Sequence, residues 1–316
     1  MIATAPGKLM LAGEYAVLDG SPALVIAVNR RVRARRHQGP RGSSPYLLGV
    51  ADELAQRFGR DSDAARAALE IVVDSTALFE GDTKLGLGSS AAVTVAATAL
   101  ALAAGREVVP VIDRVLVSEI AFAVHAKVQG GGSGADIAAA VHGGVIQYSH
   151  KQLERLSWPN GLTVIPFFTG ASADTPTLVA RVAAARESNK VAVNAALTSV
   201  AEIARAACRA CATRAPEVAA TALLSALSLA ARATDQLATT TGVPLVPSSV
   251  LAVRAAAASL GGTAKTTGAG GGDIAIAVIP ATEDAAIVRR SIIEQGCTPL
   301  ALALDNTGVD LAPDVQ

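Results

Sequence analysis

The sequence predicts an α/β (α+β) chain in two parts, and three observations carry that expectation. Apolar runs at 162–168 and 274–279, bounded by glycine and proline, have the length and composition of buried strands. The stretch from 177 to about 260 is mostly helical in character, broken at Pro216 and by the loop 241–247. After it, a strand, a helix at 283–294 and a strand at 298–304 return the chain to alternating α/β character. At 316 residues the chain buries a substantial core and ordinarily makes two domains or one large one. Aromatic residues are 3% and hydrophobic residues 51%, so Ala, Val and Leu must do the packing.

Taken in order, residues 1–36 read as strand, turn and strand, with Gly20-Ser21-Pro22 as punctuation and an extended run over 23–36. In that run Arg31, Arg33 and Arg35 share one face. Two readings stand for them: a stripe that binds anions, or a solvated edge that discourages edge-to-edge pairing. A Gly/Pro/Ser-rich loop at 37–48 leads to a charged amphipathic helix ending about Leu69 and an apolar strand at 70–75. A helix over 91–104 follows the central loop, a second over 112–128 delivers Gly130-Gly131-Gly132, and a short one runs from Ser133 to about residue 140. A strand at 144–148 precedes the run at 162–168, and no internal repeat or long disordered tail is visible.

The segment Thr83-Lys84-Leu85-Gly86-Leu87-Gly88-Ser89-Ser90-Ala91 carries the strongest chemical signal, because a glycine loop runs directly into a helical stretch. Glycines let the backbone approach an anion, successive N–H groups form a concave nest, and the helix N-terminus adds roughly half a positive charge. Ser89 and Ser90 either cap the helix or turn a hydroxyl toward Mg²⁺. The loop lacks the Gly-Lys-Ser/Thr ending of a P-loop. Two further segments look built for charged ligands: Pro6-Gly7-Lys8 with Gly13-Glu14-Tyr15, and Lys265-Thr266-Thr267-Gly268-Ala269-Gly270-Gly271-Gly272-Asp273.

Composition removes other classes. With 27 basic and 27 acidic residues there is no global pull toward nucleic acid or an anionic membrane, so anion binding must be local. No apolar run reaches the ~20 residues that span a bilayer, and no leader pattern opens the chain, so a cytoplasmic protein is expected. Cys208, Cys211 and Cys297 make no disulfide framework, Cys208-x-x-Cys211 lies in a helical stretch without partner ligands, and the four histidines show no metal-site spacing.

The order Pro6-Gly7-Lys8, Gly86-Leu87-Gly88-Ser89-Ser90-Ala91, Gly268-Ala269-Gly270-Gly271-Gly272-Asp273 resembles the GHMP small-molecule kinases over nearly the whole chain. Within that family, Gly13-Glu14-Tyr15-Ala16-Val17-Leu18 and His125 through Gln129-Gly130, Ser133-Gly134 and Asp136-Ile137-Ala138 are similar to the phosphomevalonate kinase patterns. Mevalonate kinases usually place a metal-binding Glu where this chain has His125. Thr169-Gly170-Ala171-Ser172-Ala173-Asp174-Thr175 is a further resemblance, from which Asp174 departs by placing a negative charge where a small hydroxyl is usual.

The resemblance implies an N-terminal ATP-binding domain over 1–165 with a left-handed crossover and a ferredoxin-like C-terminal domain over 166–316, with ATP and acceptor between them. It implies that residues 86–91 (Gly86, Leu87, Gly88, Ser89, Ser90 and Ala91) hold the ATP phosphates and that Ser90 approaches Mg²⁺. Lys8 and Lys84 take the electrostatic roles, with Asp136 positioning through Lys8. Ser133, Gly134, Ser172, Gly270 and Gly271, with Lys8, are the candidate acceptor contacts. The expected reaction is ATP-dependent phosphorylation of phosphomevalonate by a monomer or homodimer without nucleic-acid or membrane partners. The alternatives are a kinase of mevalonate, homoserine or a sugar, and a catalytically silent metabolite sensor. Proton chemistry separates the acceptors, since an alcohol gains from a carboxylate base whereas a phosphomonoester, with a second pKa of about 6, is already largely an anion.

Overall fold

The computed structural model describes residues 1–37, 44–150 and 152–314, so positions 38–43 of the Gly/Pro/Ser-rich loop lie outside the described residues. In chain order the first half runs β1 (Ile2–Ala12), β2 (Ala23–Arg36), α1 (Pro45–Phe58), α2 (Asp63–Ala68), β3 (Ile71–Asp74), β4 (Phe79–Glu80) and β5 (Thr83–Lys84). It continues with α3 (Ser89–Leu102), α4 (Arg114–Gln129), α5 (Ala135–His142), β6 (Val145–Ser149) and β7 (Gln152–Leu156). The second half is β8 (Leu162–Phe168), α6 (Thr175–Ser188), α7 (Lys190–Ala212), α8 (Pro216–Thr241), α9 (Ser248–Ala258), β9 (Thr263–Thr266), β10 (Ile274–Pro280), α10 (Ala285–Glu294), β11 (Thr298–Pro299) and β12 (Asp310–Ala312).

β1 and β2 pair antiparallel along most of their length and form the spine of the first sheet, ordered β12-β1-β2-β6-β7 with β3 on the far end of β2. The β1–β2 register shifts between Pro6 and Gly7, where proline has no N–H to give the ladder. Beyond Thr4, where pairing with β12 ends, the Lys8 N–H instead meets the Leu87 carbonyl at 2.9 Å. This contact fixes the central glycine loop to the N-terminal strand.

The second sheet is antiparallel, ordered β11-β8-β10-β9, with helices between its first and second and its third and fourth strands. That is the strand order of a ferredoxin-like sheet, and with the first sheet it gives the two-part architecture expected. The expected division at 165/166 falls inside β8, and residues 303–312 return to the first sheet: Asn29 N–H donates to Ala303 O at 2.9 Å, and β12 pairs β1.

Local differences have local causes. The single helix expected up to Leu69 divides at Gly59, whose φ is +91°, and α2 restarts under a Ser62 cap. The strand expected over 298–304 is split: Thr298–Pro299 pair with β8, Leu300 N–H reaches Pro166 O at 2.8 Å, and the chain then crosses to β2, where Leu304 bridges Val28. β7 has no apolar alternation to announce it, and the sequence reading omitted it. The edge part of the arginine-stripe reading is corrected, because β2 lies between β1 on one side and β3 and β6 on the other, while Arg33 and Arg35 are exposed as a solvated face would have them. Arg31 is partly buried, donating to Thr4 Oγ1 and the Gly308 carbonyl and pairing with Asp305, so it anchors the C-terminal segment.

The Ala-rich composition lets helices approach closely. α3 is buried on nearly every side, between β1/β2 and the layer of α1, α2 and α4. The expectation that no apolar run reaches membrane-spanning length is also corrected, because α7 has that length and apolar character. Its buried face packs on α8, through positions such as Val193, Leu197, Ala204 and Cys208.

Candidate active site

Three distant chain segments meet at Gly88. This glycine caps α3 in the left-handed region, φ +74°, with no side chain capping the helix. Any side chain here would put its Cβ 3.2 Å from Lys8 Cε and 3.3 Å from Asp136 Oδ2. Lys8 Nζ in turn stands 3.3 Å from Asp136 Oδ1, with the lysine side chain only 10% exposed and the aspartate 36%. Asp136 sits in the first turn of α5, which also starts at a left-handed glycine, Gly134. Two helix N-termini therefore converge on one spot, and their free N–H groups favour an anion there. Of the two readings for Ser89 and Ser90, capping is not observed: Ser89 is buried, and the carbonyl of half-buried Ser90 accepts from Thr94 Oγ1 at 2.8 Å.

Lys84 is exposed at the end of β5, and its carbonyl accepts a hydrogen bond from Ser172 Oγ at 3.4 Å. The turn 169–174 thus touches the strand that leads into the glycine loop. Asp174, the departure from the family pattern, is explained by capping: it accepts from Thr177 N–H at 3.2 Å and Thr177 Oγ1 at 2.7 Å at the start of α6. Those two bonds, the hydroxyl's first, hold its carboxyl below the usual range. Ser133 Oγ accepts from Ala135 N–H at 3.2 Å and keeps its own proton to donate. Gly134 leaves no room for a side chain, which would run into the Phe122 ring.

The glycine-rich loop divides in two. Gly268 lies beside Lys8, its Cβ position 3.8 Å from Nζ, and so forms a wall of the site. Gly270 and Gly271, expected as acceptor contacts, pack instead against the loop at Pro244 and Leu245 and against Leu178 of α6. A side chain at Gly270 would strike the Leu245 carbonyl, and Gly271 N–H donates to that carbonyl at 2.7 Å. Packing, then, requires glycine at both positions.

Sequence reasoning left three groups unassigned. Glu14 and Lys265 form a buried ion pair, Lys265 being 1% exposed, and Lys265 Nζ also donates to Thr266 O at 2.6 Å. Beside them Tyr15, at φ +63°, donates its hydroxyl to Ala269 O at 2.6 Å; burial first and the Glu14 charge second push that hydroxyl upward in pKa. Asp273 accepts from Ala173 N–H at 3.1 Å and lies against Gly86. Burial pushes its carboxyl up, opposed by the Ala173 N–H and by the charges of Lys8 and Lys84. All these residues stood in the quoted motifs, but partners 100 to 254 positions apart leave no pattern in one sequence.

His125, on α4, completes the neighbourhood. Its ring packs on Tyr46 with centroids 5.1 Å apart, and its Nε2 is buried without a hydrogen-bond partner among the described residues. Burial lowers its pKa, against the Asp136 charge and the Ser90 backbone, while Lys84 adds to the lowering. No cluster of three or more His, Cys, Asp or Glu residues able to hold a metal occurs among the described residues. Half-buried Ser90, in the first turn of α3, is the hydroxyl that would face a Mg²⁺ carried by nucleotide phosphates. The thiols of Cys208 and Cys211 are buried and pushed up to about 12, so that pair is structural. Two surface cavities, of about 570 and 470 Å³, lie beside Leu224 and beside Trp158, away from this constellation, so chemistry rather than hollow shape marks the site.

The description "GHMP kinases N terminal domain" matches residues 45–144, which contain the cradle, α4 and Asp136. The chain has the GHMP kinase fold. Across 94% of this chain and 95% of the relative, it is 28% identical to phosphomevalonate kinase of Streptomyces sp. (strain CL190). It is equally 28% identical to mevalonate kinase of Thermococcus gammatolerans, over 98% of this chain and 97% of that one. Among solved structures it superposes on the Lin0012 protein from Listeria innocua with TM-score 0.81 and 25% identity, over 98% of both chains. Phosphomevalonate kinase of Streptococcus pneumoniae, in complex with phosphomevalonate and AMPPNP, gives TM-score 0.77 at 18% identity over 96% of this chain and 99% of that one. GHMP kinases are phosphotransferases, and Gly88 lies within the matched segment.

Proposed function

We propose that this GHMP kinase is an ATP- and Mg²⁺-dependent enzyme that converts 5-phosphomevalonate to 5-diphosphomevalonate in isoprenoid synthesis. The observation that carries the reading is the convergence of Lys8, Asp136 and the open N-terminus of α3 on Gly88. In the proposed step an acceptor phosphate oxygen attacks the γ-phosphorus, a new P–O bond forms, and the P–O bond to ADP breaks. A phosphomonoester with a second pKa of about 6 is already an anion at pH 7, so no base need take a proton. The task is bringing polyanions together, for which preorganised N–H groups and cations are the effective means.

Each residue then has a part. The α3 N-terminus and residues 86–91 hold the nucleotide phosphates, Lys84 neutralises the transferring group, and Lys8, oriented by Asp136, faces the incoming oxygen. Mg²⁺, when bound, neutralises phosphate charge, with Ser90 as its protein ligand. Ser133 supplies a hydroxyl donor to the acceptor phosphate, and Ser172 does the same by turning its one hydroxyl proton from the Lys84 carbonyl to that phosphate. The balanced net charge accords with a cytoplasmic metabolic enzyme acting on small molecules, as monomer or homodimer, without nucleic-acid or membrane partners.

A second reading has its own support, since the Lys8–Asp136 pair also suits an alcohol acceptor whose proton Asp136 removes. The equal identity to a mevalonate kinase favours mevalonate in that case. An ADP-release assay across phosphomevalonate, mevalonate, homoserine and galactose decides. Turnover with phosphomevalonate is expected; selection of mevalonate would overturn the substrate, and silence on all of them would favour a sensor.

A further inference from the structure

Asp273 ends the glycine-rich loop with φ +53°, one of only three non-glycine residues with positive φ among the described residues. Such a backbone persists where the surroundings over-determine it. Here they do so through a single short turn. Asp273 N–H donates to Ala171 O at 2.7 Å, and its carbonyl accepts from Thr169 N–H at 2.9 Å and Thr169 Oγ1 at 3.0 Å. Its Oδ1 accepts from Ala173 N–H at 3.1 Å. The carboxylate also fills the space over Gly86 that any side chain there would need. One residue thus joins the end of the glycine loop, the turn 169–173 and the phosphate cradle, and Ser172 at the crest of that turn reaches the Lys84 carbonyl.

We propose that Asp273 is a positioning residue for the acceptor: its carboxylate holds the turn 171–173 so that Ser172 stands against Lys84 at a fixed distance from the cradle. The inference rests on the reading of Ser172 as an acceptor contact. Asp273 gives the cradle no hydrogen bond, whereas the cradle's own bonds, Lys8 N–H to Leu87 O and Leu85 N–H to Leu78 O, do not involve it. Losing the carboxylate should therefore weaken acceptor binding far more than nucleotide binding, which it touches only by packing over Gly86 and through the charges of Lys8 and Lys84.

The test uses Asp273→Gly, which suits positive φ while deleting the carboxylate, and Asp273→Asn, which keeps an oxygen acceptor for Ala173 N–H and tolerates the same backbone. KM for the acceptor selected by the ADP-release screen is measured beside AMPPNP affinity by calorimetry. Losing a hydrogen bond to a charged group should raise acceptor KM about tenfold or more in Asp273→Gly, with AMPPNP affinity within about threefold of wild type and Asp273→Asn largely restored. Ser172→Ala should raise acceptor KM as well, and the double variant should fall short of the product of the two effects. Unchanged acceptor KM in folded Asp273→Gly, a parallel loss of AMPPNP affinity, a failure of Asn to rescue, or multiplicative effects with Ser172→Ala would each overturn the inference. A wild type inactive on all acceptors sinks the functional reading and this inference with it. A wild type that selects mevalonate corrects the substrate alone.

Discussion

Lys8 Nζ and Asp136 Oδ1 lie 3.3 Å apart beside the space that a side chain at Gly88 would occupy. The pair joins the N-terminal strand to the first turn of α5, and the absent side chain at Gly88 leaves room for both beside the start of α3. The glycine is therefore a steric condition of the site as well as a conformational one, which separates binding from folding in a single variant.

Gly88→Val should displace Lys8 and Asp136 and weaken AMPPNP binding by at least about tenfold, while left-handed strain costs on the order of 1–3 kcal/mol of stability. Calorimetric titration beside thermal melting checks both. Normal AMPPNP affinity in a folded variant would take this loop out of the nucleotide site.

Lys84 is exposed, and its side chain supports nothing in the core. Lys84→Met should leave stability within about 0.5 kcal/mol and lower turnover by about 10²-fold, the usual loss for one preorganised electrostatic donor. Near-normal turnover would make it a surface lysine.

The cradle and the long helices were legible because their signals are local: glycines feeding an Ala-rich run, and apolar stretches ended by Pro216 or glycine. What escaped was pairing at a distance. Arg31 read as a solvated edge because its anchors, Asp305 and Gly308, lie more than 270 residues away. Gly270 and Gly271 read as ligand contacts because glycine serves close backbone packing as readily as ligand approach, and only the Leu245 carbonyl distinguishes the two. The motif containing Asp273 was visible, but its bonds to the turn 169–173 were not.

Glu14 and Lys265 offer a test of how the two sheets are joined. Removing one partner of a buried pair strands the other charge, so Glu14→Gln or Lys265→Met alone should cost about 3–5 kcal/mol. The double replacement Glu14→Leu with Lys265→Met should recover most of that. Urea unfolding of the singles and the double measures it, and singles within about 1 kcal/mol of wild type would show that the pair does not hold the seam.

Glu53, buried on α1, ties Arg57 to Lys127 of α4, the helix that carries His125. Burial pushes its carboxyl up, but the hydrogen bonds and charges of Lys127 and Arg57 outweigh it and hold it below the ordinary carboxylate range. A depressed folded-state value contributes stability above the unfolded pKa of about 4.3, lost as pH falls through the folded value. Glu53→Gln should therefore be about 1–3 kcal/mol less stable at pH 7 and nearly equal to wild type at the acid end. Urea midpoints at about pH 7 and 3 check this, and a gap constant across that range would place the loss elsewhere.

Asp136 decides the acceptor class. With phosphomevalonate as acceptor, the ionisation near pH 6 that prepares the nucleophile belongs to the substrate. Asp136→Asn would then lower turnover, because Lys8 loses its partner at 3.3 Å, yet keep the shape of the pH–rate profile. With an alcohol acceptor, Asp136 is the base, and its replacement should remove both the acidic limb and nearly all turnover. The measurement is turnover from about pH 5 to 9 for both proteins, with ATP and Mg²⁺ saturating and on the acceptor that the ADP-release screen selects. A retained acidic limb with reduced height is the expected result. Its disappearance together with activity would make Asp136 the general base and the acceptor an alcohol.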